Sequence, residues 1–276
     1  MKTKVSKDAL TAVIRNVLNA VNTKTTIPVL SNILLEADEG GLTLAATDLE
    51  VYVKCRIQAK TEEPGATTLP ARKFAQLIGV LPAGEVELET NEREQTSISC
   101  KKSFFRIMGM DAGEFPREEL TQGTWVFSMP AGKFSALLSK VSYSASTDET
   151  RHVLNGTLLS IDSGVITAVA TDGRRLALLE QGLEGEDIED CGAILPPKVV
   201  DELVKALEGD DPVTVHLADS RASFSFGETL IVSKLVEGTY PNYRQVVPGN
   251  FVRSAVFPRE DFATVLNRVA MVISDD

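Results

Sequence analysis

Two Thr-Asp pairs, Thr47-Asp48 and Thr171-Asp172, each set a hydroxyl beside a carboxylate, and together they could serve as a general acid–base pair. Both stand where an apolar, β-forming run ends, and Asp172 is followed by Gly173, an ordinary turn dipeptide. That position favours hydrogen bonding within a turn over catalysis. His152 follows two acids, Asp148 and Glu149, which is the usual setting of a solvated imidazole. Gly132-Lys133 lacks both the upstream glycine spacing and the following hydroxyl of a phosphate-binding loop. Neither a Gly-x-Gly-x-x-Gly run nor a Gly-x-Ser-x-Gly elbow occurs. Cys55, Cys100 and Cys191 are odd in number and scattered, which excludes a disulfide framework and zinc spacing, and the two histidines exclude a His-rich metal site. The residues assemble no reaction, so neither an enzyme nor a cofactor is expected.

The elements that carry these residues repeat. Leu30-Ser-Asn32-Ile-Leu-Leu35 returns as Leu154-Asn155-Gly-Thr-Leu-Leu159, and Leu42–Asp48 returns as Ile166–Asp172, both 124 positions later. Leu69-Pro70-Ala71-Arg72 matches Leu195-Pro196-Pro197-Lys198 at 126, and Phe115-Pro116 matches Tyr240-Pro241 at 125. A helical apolar face occurs three times: Leu10, Val13, Ile14, Val17; Phe134, Leu137, Leu138, Val141; and Phe262, Val265, Leu266, Val269. Ser6, Ser128 with Pro130, and Pro258 stand upstream as helix-start signals. A further helix follows each Leu-Pro, at Ala71–Leu81 and Lys198–Leu207, and alternating segments after it predict strands. The expected organisation is an α+β duplication: domain 1 over residues 1–122, domain 2 over 123–252, and the first helix of a third over 253–276, a period of about 125 that is too long for a solenoid.

Hydrophobic residues make up 43% and charged residues 24% of the 276, an ordinary globular balance. No apolar run approaches the ~18 residues of a membrane span. The first residues lack the apolar core of a signal peptide, which points to the cytoplasm. The net charge of −11 argues against nucleic acid until its distribution is read. No Asp or Glu occurs over 9–35, 64–84 or 120–147. These windows hold the helices, and their charges are Arg15, Lys24, Arg72, Lys73, Lys133 and Lys140. Lys198 and Lys205 share one helix face, and Arg268 takes the register of Lys140 in the third helix. Acid-free helices with a few cations suit loose, sequence-independent contact with phosphates, while acids elsewhere keep the exterior soluble.

The ordered segments Thr26–Asn32, Ala46–Glu50, Pro64–Phe74, Leu154–Gly156, Ala170–Ala177, Ser233–Gly238 and Tyr240–Tyr243 resemble the bacterial DNA polymerase III β subunits, the replicative sliding clamps. The resemblance runs the length of the chain. It implies the DNA-clamp fold, with antiparallel sheets outside and two helices per domain lining the inner face. Two head-to-tail subunits of three domains would ring duplex DNA. It implies a non-catalytic processivity subunit, nucleotidyltransferase activity belonging to the holoenzyme. The implied partners are double-stranded DNA, the polymerase III catalytic subunit, the clamp loader, and other polymerases and repair proteins bearing clamp-binding peptides. DNA-facing positions fall on Lys24, Arg72, Lys73 and Lys198, and on Asp148, His152 and Val153, where the aspartate departs from a phosphate-facing pattern.

The implied peptide pocket falls on Leu154, Thr171, Gly173, Arg174, Arg175, Leu176, Pro241 and Val246. Leu154, Leu176, Pro241 and Val246 would supply its apolar floor. Arg174 replaces a common His and Gln245 a common basic residue, which would alter peptide preference. Homodimer closure is implied through an edge strand bearing Phe105 and Ile107 and a helix bearing Met271 and Val272. Most of a third domain is not encoded, so a C-terminally truncated clamp is expected to be monomeric or weakly associating. Two rival readings remain: a hydrolase or transferase using Asp48 or Asp172, and an interaction module that binds clamp partners without forming a ring.

Overall fold

The computed structural model describes residues 1–22, 25–120, 125–148, 150–183, 190–249 and 252–272. The first repeat runs β1 (Lys2–Ser6), α1 (Lys7–Leu18), β2 (Asn32–Asp38), β3 (Gly41–Thr47), β4 (Val51–Ile57), β5 (Lys60–Glu63), β6 (Gly65–Pro70), α2 (Ala71–Val80), β7 (Glu85–Thr90), β8 (Gln95–Cys100) and β9 (Ser103–Met108). The second runs β10 (Trp125–Pro130), α3 (Ala131–Ser142), α4 (His152–Asn155), β11 (Thr157–Asp162), β12 (Val165–Thr171), β13 (Leu176–Gly182), β14 (Cys191–Leu195), α5 (Pro197–Ala206), β15 (Pro212–Leu217), β16 (Arg221–Phe226) and β17 (Thr229–Lys234). Apart from β5 and α4, the elements correspond one to one in order.

Serine capping, expected at the helix starts, does not occur. Ser6 stands at the N-cap of α1 without a side-chain capping bond. Ser128 lies inside β10, its hydroxyl 2.9 Å from that of Thr214 on β15. Each strand runs directly into its helix, so the first free amides meet backbone carbonyls of a neighbouring loop instead. The Lys7 amide donates to the Gly84 carbonyl at 2.9 Å, and in the second repeat those of Ala131 and Gly132 donate to Asp211 and Gly209 at 2.9 and 2.7 Å.

Each repeat builds two antiparallel sheets, and one pair of them merges. β5-β1-β7-β8-β9 forms one sheet and β13-β12-β11-β14 another. The third is an eight-stranded sheet ordered β10-β15-β16-β17-β4-β3-β2-β6, so β17 of the second repeat pairs with β4 of the first. In that seam Leu230 stands opposite Lys54, Ile231 opposite Val53 and Val232 opposite Tyr52. The helices bury their predicted apolar faces: Leu10, Val13, Ile14 and Val17 on α1, Phe134, Leu137, Leu138 and Val141 on α3. Each such side chain contributes about 1.5–3 kcal/mol of transfer free energy, and together they join a core running through both repeats. Met1–Tyr240 forms one compact unit.

Pro241–Asp276 forms a second unit. In it, α6 (Arg259–Ala270) starts after Pro258, with the Phe257 and Phe262 rings stacked at 5.0 Å between centroids. Phe262, Val265, Leu266 and Val269 are each about half exposed.

Candidate nucleic-acid interface and peptide pocket

Helix α1 packs on α2, and α3 on α5. Asn19, just past α1, donates its side-chain amide to the Glu202 carboxylate of α5 at 2.9 Å. The helices therefore form one layer in the order α2-α1-α5-α3. Arg15, Arg72, Lys73, Lys133, Lys140 and Lys205 are exposed on it, with Asp8 and Asp201 as the exposed acids of the same helices. The acid-poor windows thus reach the surface as a modestly basic helical face. A cleft of about 290 Å³ opens between α1 and α5, lined by Arg15, Asn16, Asn19, Glu202, Lys205 and Thr229 among others.

Lys198 has a second role. Its ammonium is ion-paired with Asp48 across the seam, and it is half-buried. Burial acts to raise the Asp48 carboxyl pKa, but the Lys198 bond and the Val51 and Glu50 amides outweigh it and hold the group below the usual range. Lys205 lies 3.8 Å from Glu202. Lys24 lies outside the described residues.

The Thr-Asp pairs build turns. The Thr47 hydroxyl donates to the Val51 carbonyl at 2.9 Å, and Asp48 Oδ1 accepts the amides of Glu50 and Val51 at 3.0 and 2.8 Å. In the second repeat the Thr171 hydroxyl donates to the Arg175 carbonyl at 2.6 Å, and Asp172 Oδ1 accepts from Arg174 and Arg175 at 2.9 and 3.0 Å. Leu49 adopts a φ of 75° where Gly173 has 87°, so the turn demands left-handed backbone in both copies. Both carboxylates are consumed by amides and cations, and they sit in separate turns; they form no acid–base pair. The catalytic reading of Asp48 and Asp172 finds no support in this geometry.

Thr171 is buried, while Gly173, Arg174 and Arg175 are exposed and Leu176 begins β13. Leu154 lies on the short α4 with His152 and Val153, and the guanidinium of Arg151, just before α4, donates to the Asp172 carbonyl at 3.4 Å. Thus α4 is tied to the Thr171–Leu176 turn. His152 is exposed and Val153 half-buried, its methyl packed toward Gly238. Asp148 accepts the Thr150 hydroxyl and amide at 2.6 and 3.0 Å, which holds its carboxyl below the usual range and keeps a negative charge beside α4. Pro241 and the exposed Val246 belong to the second unit.

Tyr143 and Arg151 of this region carried no sequence signal, and Tyr240 only its place in the repeat and in the resemblance. Tyr143, at the end of α3 and 64% exposed, lies under the Arg175 guanidinium, 5.9 Å from ring centroid to Cζ. Arg151 bridges to the turn as described. Burial pushes the Tyr240 phenol up to about 12 against the opposing effect of the Thr171 amide. Aromatic–cation and loop–turn contacts of this kind have no periodicity to reveal them.

The edge-strand assignment needs correction at its side chains. β9 pairs only with β8 among the described strands, but Ile107 is buried (3% exposed) and Phe105 half-buried, because alternation turns both toward the core. Phe104, Arg106 and Met108 face outward. Met271 and Val272 are exposed just beyond α6. Among the described residues there is no cluster of metal-binding groups, and no helix is long and apolar enough to cross a membrane.

Family models of the DNA polymerase III beta subunit match this chain, the N-terminal domain over residues 1–120 and the central domain over residues 128–242. The Beta sliding clamp of Chlamydia muridarum is 32% identical over 275 residues, covering 100% of this chain and 75% of that protein. The crystal structure of a DNA polymerase sliding clamp from Bacillus subtilis superposes with a TM-score of 0.95 at 26% identity, covering 100% of this chain and 75% of that one. A DnaN sliding clamp from Pseudomonas aeruginosa bound to griselimycin superposes at 0.94 with 30% identity and the same coverage.

Proposed function

We propose that this chain, which belongs to the DNA polymerase III beta-subunit family, acts as a non-catalytic processivity factor of the bacterial replicative polymerase. The helix layer that runs through both repeats carries this reading: an acid-poor surface can hold duplex DNA loosely while the polymerase stays tethered. Tethering raises the effective concentration of polymerase at its template without tight DNA binding. Weak, salt-screened contacts from Arg72, Lys73, Lys198 and Lys24, and from the further positions His152 and Val153, allow the ring to slide.

In this reading the chain comprises domains 1–122 and 123–252 and a third that starts at 253. The Thr171–Leu176 turn with Leu154 takes clamp-binding peptides from the polymerase, the clamp loader and repair proteins. Ring closure as a homodimer uses the edge of β9, where Phe104, Arg106 and Met108 face outward while Phe105 and Ile107 anchor the strand to the core, against a partner surface that includes Met271 and Val272. The site of action is the cytoplasm.

The test is primer extension on long templates with the polymerase and its clamp loader. Reversing Arg72 and Lys73 to Glu lowers DNA retention while peptide binding persists; Arg175→Glu lowers peptide binding while retention persists. Unchanged retention and extension in both variants would reject the assignment. A second reading, a module that binds partner peptides without encircling DNA, is favoured by the neutralisation of Lys198 by Asp48 at the seam. It predicts that only the Arg175 variant has a phenotype.

A further inference from the structure

Because the fold is duplicated, the turn assigned above to partner peptides has a counterpart in the first repeat. Thr47–Tyr52 and Thr171–Leu176 each close a strand pair, and the threonine hydroxyl and aspartate Oδ1 make the same bonds in both. The flanking residues correspond as well: Leu30 with Leu154, Tyr52 with Leu176, and Phe115 with Tyr240. Burial separates the two copies. Leu30, Tyr52 and Phe115 are 2%, 3% and 3% exposed and join one apolar cluster, whereas Leu154, Leu176 and Tyr240 are only half-buried.

What remains open at the first turn is a cavity of about 10 Å³, lined by Thr47, Leu49, Tyr52, Glu118, Arg221 and Val232 among others, barely the room of one water. It lies where the repeats meet, because β17 pairs with β4 and brings side chains of β16 and β17 against the turn. Two ion pairs span its rim: Arg221 with Glu118, and Lys234 with Glu50 at 3.0 Å. The second turn carries its own cations, Arg174 and Arg175. At the first, Glu50 and Val51 hold those positions, and the cations come from β16 and β17 already neutralised. Tyr52 supplies a ring where the second turn has the smaller Leu176, and burial pushes its phenol up to about 12. Leu49, at the mouth, is 46% exposed and held at a φ of 75°, backbone that an L-residue adopts only at a cost. The turn geometry is thus kept where the pocket is filled.

We propose that the Thr47–Tyr52 turn is a second peptide site, built by the duplication and held shut by Tyr52 and by the Arg221–Glu118 and Lys234–Glu50 pairs. Its ligand is the same class of short, apolar-anchored peptide that the second turn takes. Partly exposed ion pairs contribute little each, so the rim is weakly strapped. A peptide that binds the opened form alone draws the equilibrium towards it. The proposal rests on the reading of Thr171–Leu176 as a peptide site, and the experiment reads the two turns separately.

The test is amide NMR of the full chain, titrated with a peptide from the clamp-binding segment of the polymerase III catalytic subunit. In the parent, signals of residues 171–176 should shift and those of 47–52 should not. Glu50→Gln with Glu118→Gln breaks both rim pairs without touching the core, and excess peptide should then shift both sets. The shifts at 47–52 should survive Arg175→Glu, which removes those at 171–176. Adding Tyr52→Leu, which copies Leu176, should raise the calorimetric stoichiometry from one peptide per chain to two. Unmoved 47–52 signals in the rim variant would overturn the proposal whether or not the Tyr52→Leu chain folds, and a folded Tyr52→Leu chain that still binds one peptide would do the same. A parent whose 171–176 signals stay unmoved would instead overturn the peptide reading of the second turn.

Discussion

The side-chain amide of Asn19 reaches the Glu202 carboxylate at 2.9 Å and joins two helices whose residues lie 183 positions apart. Glu202 is nearly buried, with a side chain only 9% exposed, and its cationic partner, Lys205, stands off at 3.8 Å. Asn19 is therefore the main satisfaction of a charge placed at the junction of the repeats.

Replacing Asn19 by Ala leaves that carboxylate under-satisfied. The expected cost is about 1–3 kcal/mol, the range for stranding a buried polar group. Urea unfolding would show a lower midpoint at unchanged slope. Asn19→Ala with Glu202→Leu, which removes both partners, should recover part of the loss.

Asp48 adds a pH dependence at the same junction. Its folded pKa is depressed, so its contribution is present above the unfolded value near 3.9 and is lost as pH falls through the folded value. Asp48→Asn keeps an acceptor for the Val51 amide but loses the ion pair with Lys198. The variant should be less stable than the parent at pH 7 by on the order of 1 kcal/mol, and the gap should close in increasingly acidic buffer. A gap that is constant with pH would remove the ion pair as its cause.

Gly173→Ala places a β-carbon on backbone at a φ of 87°. The expected cost is about 1–2 kcal/mol, the ordinary price of left-handed backbone for an L-residue. Because the turn carries Arg174 and Arg175, binding of a clamp-interacting peptide should weaken along with thermal stability. Calorimetric titration of the peptide measures the first and a melting curve the second.

Tyr143→Ala removes the ring beneath Arg175. A contact of this exposed kind is worth about 0.5–1 kcal/mol, so peptide affinity should fall roughly two- to fivefold while Tm moves little. Tyr143→Phe retains the ring face and should behave nearly as the parent. Equal losses in both variants would point to the hydroxyl instead.

The helices and hairpins were legible because their information is local. The i, i+3, i+4, i+7 positions of α1 and α3 are those the core buries, and the Thr-Asp pairs sit at strand ends as the turn chemistry suggests. Serine capping misled because Ser6 and Ser128 are near the helices in sequence while the capping carbonyls come from Gly84, Gly209 and Asp211. Phe105 and Ile107 were placed on the right strand, but their faces followed from alternation against a core the sequence does not display.

By itself the amino-acid order determined the duplication, the helix faces, the absence of a catalytic constellation and the acid-poor windows, because each is a pattern of residue types along the chain. Tertiary structure alone decided that β17 joins β4, that Lys198 answers Asp48, and that Tyr143 lies under Arg175. Those pairings depend on which edges and faces remain uncovered once the sheets have formed, and complementarity between distant segments leaves no period in the sequence.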